Sequence, residues 1–434
     1  MKNKTTPGDA MIYEPLLDME SSVMFFLCEP AITTLSFYQK ASIDISLELF
    51  KKRLHLICES NPWVCGRLIK DKAIEKGRIS LAVPTSIKDE DIDAIFGVSN
   101  EKNLSSLSLE SDFGDLCTII GKSQAVVPIG YNLIGKDKRV SKFTLVENTA
   151  KDEIMLIASI CHAVSDGFTY YKILSMLTEG NDISPLSFRR KHEFSEKMEE
   201  AIGAEEFKLS TSTGMLLSML PTMICKSPAY CHARFVDSDQ VKRIKEEAMR
   251  RTSPSTSFAC STNDILVSTF VQSIPANLVF MAINLRERIS IATNTDAGNY
   301  ETAILYDKKS TKTPESVRAS LQGGLPYKRF NGDPLPKRLK LLRSKYGIIT
   351  NWAFPEFQAD LTLRTKSNEE VPMTLHLPMM SPSNVFFPFA IIFKANKDQL
   401  AILYMGSKKD LDMKKLESNG APLGASVNEK MFSC

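Results

Sequence analysis

The chain has 434 residues, a formal net charge of +3 and 43% hydrophobic residues, material for about two or three domains with sizeable cores. Charges of both signs are interspersed and no basic run is flanked by aromatics, which argues against a nucleic-acid partner and leaves room for small anionic ligands. Nine cysteines without C-x-x-C spacing indicate neither a disulfide framework nor a zinc site and fit a reducing compartment.

Residues Met1 to Asp9 are polar and lack the apolar core of a secretory signal. No window holds the ~18 uninterrupted apolar residues of a membrane helix, so a cytoplasmic protein without a transmembrane segment is expected. Val23 to Leu27 reads as an early strand. Asp44 is placed to cap a helix with Leu47, Phe50, Leu54 and Ile57 on one face, ended by Asn61-Pro62, and Gly66-Arg67-Leu68 turns into a strand. Residues 71 to 130 are irregular, with the acidic run Asp89 to Asp93 read as a solvated loop or helix end. Lys142 to Val146 and Glu153 to Cys161 read as paired strands.

The second of these strands leads into His162-Ala-Val-Ser-Asp166-Gly167, and Phe168, Tyr171, Leu174 and Leu177 then follow at helical spacing. A histidine at the end of a buried strand reaches into a cleft with its ring held by packing, as a general base requires. Asp166 can cap the next helix or pair with a cation, and Gly167 lets the backbone turn without a Cβ clash. The competing reading is a core histidine bonded to a carbonyl, with Asp166 only a cap.

Beyond this helix, Glu179 to about Lys208 is a charged, partly helical crossover. Gly214 to Cys225 is apolar and Met-rich, broken by Pro221, and reads as a packed helix. Residues 232 to 250 predict a strand and a basic helix; Ser261-Thr-Asn-Asp264 caps a helix with Leu266, Phe270 and Ile274 on one face, and Leu278 to Ile283 is a buried strand. Strand and helix recur in both halves, an α/β plan with the ligand site expected at the seam.

These stretches resemble the chloramphenicol-acetyltransferase-like acyltransferases, and within them the BAHD acyl-CoA-dependent transferases. The resemblance rests on five matches in order: Phe50 to Leu68 with its Asn-Pro and Gly-Arg-Leu, His162 to Gly167 as H-x-x-x-D-G, Ser261 to Asp264, Ile283 to Arg288 with Gly298-Asn299-Tyr300, and Thr350-Asn351-Trp352 with Asp360 eight residues on. It implies an α/β fold of two chloramphenicol-acetyltransferase-like domains, each a mixed sheet with flanking helices, with the active-site channel at their interface. The expected division is residues 1–190, a crossover linker 191–229, and residues 230–434. The implied function is transfer of an acyl group from acyl-CoA to a hydroxyl or amine of a small-molecule acceptor, in secondary metabolism, by a monomer with no permanently bound cofactor. The alternatives are a carrier-dependent condensation-type acyltransferase and an inactive binding or scaffold member of the fold.

By the same resemblance His162 is the base, Asp166 pairs with Arg286 as scaffold, and Gly167 and Asp360 support the site. Thr350, Asn351 and Trp352 are candidates for the acyl pocket, with Thr350 or Asn351 donating to the oxyanion. Two positions depart from the pattern. Asp360-Leu-Thr-Leu-Arg364 keeps only the aspartate of the usual Asp-Phe-Gly-Trp-Gly, and Cys161 stands where condensation domains and wax-ester synthases carry an additional histidine.

Other chemistries are less supported. Cys161 and His162, as strand neighbours, would point to opposite faces, and Ser165 is not in a G-x-S-x-G elbow. His55, His192, His232 and His376 stand singly, and Cys225, Cys231 and His232 alone do not make a metal site. No Gly-rich phosphate loop is present. The acceptor mouth is expected from loops 95–130 and 365–385, with Phe386 and Phe387 suggesting an acceptor with some apolar surface.

Overall fold

A computed structural model describes residues 10–22, 30–70, 78–224, 228–251, 259–337, 339–382 and 385–433. The run Val23 to Leu27 and Cys225 lie outside these. Two large mixed sheets carry the architecture. The first has five strands in the order Leu375–Pro378, Ile32–Gln39, Glu153–Ile160, Ser141–Asn148 and Phe96–Val98, antiparallel except at the last pair. The second has seven, in the order Glu301–Tyr306, Leu278–Asn284, Tyr346–Asn351, Phe389–Lys394, Leu400–Gly406, Tyr230–Val236 and Leu423–Ser426. Tyr346–Asn351 runs parallel to both its neighbours, which makes this sheet mixed as well.

Strand alternation explains how the sheets meet. In Glu153–Ile160 every residue is buried, because both faces are covered. Ile154, Leu156, Ala158 and Ile160 face a core shared with the helices Ile43–Ser60 and Gly167–Met176, while Met155 and Ile157 face the opposite way. On that opposite side they join Ile391 and Phe393 of Phe389–Lys394 and Leu403 and Met405 of Leu400–Gly406. The alternate residues of those two strands, Ile392, Ile402 and Tyr404, face a third core with the helix Thr262–Ser273. One apolar layer therefore joins the two sheets, and each sheet has helices on its other face.

Several local expectations change. The helix Ile43–Ser60 starts from Ser42, whose backbone is extended, and Asp44 sits inside the first turn, where a negative charge still favours the helix N-terminus. The acidic run is a helix end, as one of its two readings has it: it opens the helix Asp89–Ile95, for the same electrostatic reason. Pro221 does not break its helix, which runs Thr213–Ile224. Proline's fixed φ is itself helical, and the helix is held by Met215 in an apolar cluster with Leu278 and Tyr346 and by the Ser218 hydroxyl, 2.6 Å from that of Tyr346. Segment 95–130 folds over the shared layer through Leu104, Phe113, Leu116 and Ile120. Leu375–Pro378 lies in the first sheet although it falls within residues 230–434, because Leu375 and Leu377 complete the shared layer there. No helix among the described residues is long and apolar enough to cross a membrane.

His376, on that strand, is fully buried, with Nδ1 2.9 Å from the Ser36 hydroxyl and Nε2 3.1 Å from the Tyr171 hydroxyl. Burial pushes its pKa down to about 3. The unfolded chain takes up a proton near ~6.5 that the native ring refuses, so stability falls with pH below that value, by up to ~1.4 kcal/mol per unit from this group. His376→Gln is expected to reduce the fall in urea midpoint between pH 7 and pH 5. An unchanged fall would assign it to other groups.

Candidate active site

The strand Glu153–Ile160 stops one residue short of Cys161, and His162–Val164 forms a single 3-10 turn before the helix Gly167–Met176. Strand alternation therefore does not separate Cys161 from His162. Burial does: Cys161 is 2% exposed and its thiol pKa is pushed up to about 12 by desolvation, so it carries little thiolate.

Asp166 both caps the helix and pairs with a cation. Its Oδ1 accepts from Thr169 N at 2.9 Å, while Arg286 donates from Nη1 to Oδ2 at 2.6 Å and from Nη2 to Oδ1 at 3.3 Å. Both side chains are at most 1% exposed. Arg286 Nε also donates to Asp296 O and Nη1 to Asn284 Oδ1, while the two Nη2 hydrogens are shared among Asp166 Oδ1, Thr169 Oγ1 and Gly298 O; its guanidinium lies between the rings of Phe168 and Tyr300, 4.7 and 5.0 Å from their centroids. Such saturation is what allows a bidentate ion pair to be buried.

The loop Gly298-Asn299-Tyr300 is held against this corner from two sides. Asp166 N donates to Gly298 O at 3.2 Å, and Tyr300 N donates to Asp166 Oδ2 at 3.1 Å. Gly298 has φ +134°, and a Cβ there would come within 3.0 Å of the Arg190 guanidinium, so glycine is required twice over. Asn299 is fully buried; its Nδ2 donates to His162 O at 2.8 Å and to Glu20 Oε1 at 3.1 Å, leaving Oδ1 facing His162 Nδ1 at 3.2 Å. In the neutral ring, Nδ1 then carries the hydrogen and Nε2 the lone pair. Glu20 is paired with Arg190 at 2.8 Å, both fully buried. Burial alone would lower the Arg190 pKa, but the charge and hydrogen bond of Glu20 more than offset it and raise it.

His162 and Gly167 open onto a cavity of about 260 Å³ with elements of both sheets in its wall. Ala31 and Ile32 come from the first sheet and its approach, Ala282, Glu301, Ile348, Thr350 and Phe389 from the second, and Trp352, Met379, Met380, Val385, Phe386 and Phe387 from connecting loops. A Cβ on Gly167 would meet Phe354 at 3.3 Å and Trp352 at 3.5 Å, so glycine permits this close packing. A larger open groove of about 650 Å³ along the helix Ser238–Arg251 holds none of these residues, and the smaller cavity is the candidate site because it contains the oriented histidine.

Of the sequence candidates, Thr350 and Trp352 share the cavity with His162. Asn351 lies in a small adjoining recess, its Nδ2 donating to Asn263 and its Oδ1 accepting from Ala353 N, so of the two only Thr350 lines the cavity that holds His162. Asp360 accepts from Thr178 Oγ1 at 3.2 Å, beyond the end of the helix Gly167–Met176, and so supports that helix away from the cavity. Residues 379, 380 and 385 line the wall as the 365–385 expectation has it, whereas 95–130 contributes no lining residue. Among the described residues no three His, Cys, Asp or Glu side chains gather as metal ligands. Sequence reasoning missed Glu20, Arg190 and the role of Asn299. Asn299 stood in a motif match, but Glu20 and Arg190 carry no signal beyond being charges in polar stretches.

Removing Asp166 or Arg286 alone leaves the other charge buried and unpaired. Asp166→Ala and Arg286→Ala are each expected to cost about 3–5 kcal/mol in urea unfolding, with the double variant less than additive. Small, strictly additive losses would contradict an energetically coupled pair.

No family model matches the chain, and no curated protein matches it. Solved structures do. TRI101 of F. graminearum, complexed with coenzyme A and T-2 mycotoxin, aligns with a TM-score of 0.60 at 13% identity, covering 94% of this chain and 97% of that one. Polyketide synthase associated protein 5 from Mycobacterium tuberculosis aligns at 0.57 and 13% identity, covering 95% and 98%. The first condensation domain of the CDA synthetase aligns at 0.54 and 11% identity, covering 96% and 98%. At such identities the likeness speaks for architecture, and the architecture of this chain is the chloramphenicol-acetyltransferase-like fold.

Proposed function

We propose that the protein is an acyltransferase that moves an acyl group from acyl-CoA to a hydroxyl or amine of a small-molecule acceptor, with His162 as general base. The observation that carries this reading is the orientation of the imidazole: Asn299 Oδ1 beside Nδ1 leaves Nε2 as the basic nitrogen of a ring that lines the cavity. A thioester is already activated, so one base suffices. Nε2 takes the acceptor proton as the acceptor oxygen or nitrogen bonds to the thioester carbon. The Thr350 hydroxyl is the candidate donor to the resulting oxyanion. Collapse of the tetrahedral centre breaks the C–S bond, and the proton held on Nε2 passes to the departing thiolate, which restores the neutral ring.

Acyl-CoA enters this scheme as co-substrate, and TRI101, complexed with coenzyme A, shares the fold. The Met379, Met380, Phe386 and Phe387 side chains in the wall favour an acceptor with apolar surface. A condensation-type reaction on carrier-tethered acyl groups is the second reading, supported by the likeness to a condensation domain.

Thiol release from acetyl-CoA, followed over a panel of alcohols and amines and beside an acyl-carrier donor, tests the choice. His162→Ala is expected to stay folded and lose ~10²-fold or more in kcat, the loss of a general base. Cys161→Ala is expected to stay active, and initial-rate lines at several donor concentrations to intersect, as direct attack in a ternary complex requires. Near-normal turnover by His162→Ala would sink the mechanism, and parallel lines with an acylated protein would replace it with a covalent route.

A further inference from the structure

We propose that Glu20 is a positioning residue for His162, acting through the side chain of Asn299. This inference rests on the reading of His162 as the base. A primary amide is nearly symmetric in shape, so packing alone does not decide which end of Asn299 faces the imidazole. Two acceptors decide it. His162 O takes one Nδ2 hydrogen at 2.8 Å and Glu20 Oε1 takes the other at 3.1 Å, which turns Oδ1 toward His162 Nδ1. A carboxylate can only accept, so Glu20 enforces the orientation in a way a neutral amide cannot.

The connectivity of Glu20 separates this role from a plain ion pair. Oε2 receives Leu17 N at 2.9 Å and Arg190 Nε at 2.8 Å, and these contacts alone complete the pairing with Arg190. Oε1 is given to Asn299, accepting from its backbone N at 2.9 Å as well as from Nδ2. Arg190 in turn donates to Val164 O at 3.1 Å and Ala297 O at 2.9 Å, so the carboxylate is anchored to both segments that meet at the base. A fixed negative charge thus stands behind the amide, on the side of the imidazole away from Nε2. It holds the Nδ1–H tautomer, with Nε2 as the nitrogen that takes a proton.

The test reads the ring directly. In full-length protein labelled with ¹⁵N-histidine, the His162 nitrogens are assigned by their loss in His162→Ala, and the tautomer is read from their shifts in the neutral form. The wild-type ring is expected to be Nδ1–H. Glu20→Gln is expected to move population to the Nε2–H tautomer, and Glu20→Gln/Asn299→Asp, which exchanges the carboxylate and the amide, to restore Nδ1–H. If Glu20→Gln does not fold because Arg190 is left unpaired, Glu20→Gln/Arg190→Gln, with no buried charge unmatched, is read in its place. A folded variant lacking the Glu20 carboxylate whose ring keeps the wild-type tautomer overturns the proposal.

With any acceptor that the wild type acylates from acetyl-CoA, Glu20→Gln is expected to lower kcat by roughly 10- to 100-fold with KM within about twofold. Loss in KM alone would also overturn it. The tautomer is measurable whether or not acyl transfer is found, so failure of this inference and failure of the acyltransferase reading give different results.

Discussion

The bidentate pair between Asp166 and Arg286 is the interaction on which the site's geometry depends. It joins the corner that follows the central strand of the first sheet to the end of a strand in the second. Neither charge reaches water, so the pair persists only because each remaining donor and acceptor finds a protein partner. Those partners are the surrounding backbone: the helix start at Thr169, the Asp296 carbonyl, and Gly298 and Tyr300 on either side of Asn299. Shifting any of them would strand a buried charge, which makes the arrangement stiff. The histidine inherits that stiffness through Asn299.

The Glu20–Arg190 pair repeats the device on the other side of the same loop. One pair fixes where the loop stands and the other fixes which way its amide faces. Around them the apolar layer between the sheets sets the coarse geometry, and hydrogen bonds set the fine one. This division follows from the physics: burial of apolar surface is strong but has no direction, whereas hydrogen bonds to charged groups are directional and short.

Much of the fold is legible in the sequence because strands covered on both faces, such as Glu153–Ile160, appear as unbroken apolar runs, and capping boxes such as Ser261 with Asp264 mark helix starts. The neighbourhood of His162, Asp166 and Gly167 is legible for the same reason, since a strand, a polar corner and an amphipathic helix follow one another without a gap. Glu20 and Arg190 are not, because a charge that will be buried by a partner 170 positions away looks the same as a solvated one. Tertiary packing also carries a helix through Pro221 and ends a strand before Cys161, where local preference points otherwise. The sheet membership of Leu375–Pro378 is invisible locally, because alternation predicts a strand but not its neighbour.

That last strand has a consequence for the chain while it is being made. Ile32–Gln39 has Glu153–Ile160 on one side and Leu375–Pro378 on the other. Until residue 378 emerges, one side of a largely buried strand presents unpaired backbone groups, the template on which chains join edge to edge. The 339 residues from 40 to 378 take roughly 20 to 70 s to add at typical synthesis rates. The nascent protein is therefore exposed to edge-to-edge association throughout that interval, and the strand that closes this edge lies far along the chain from the strand it protects.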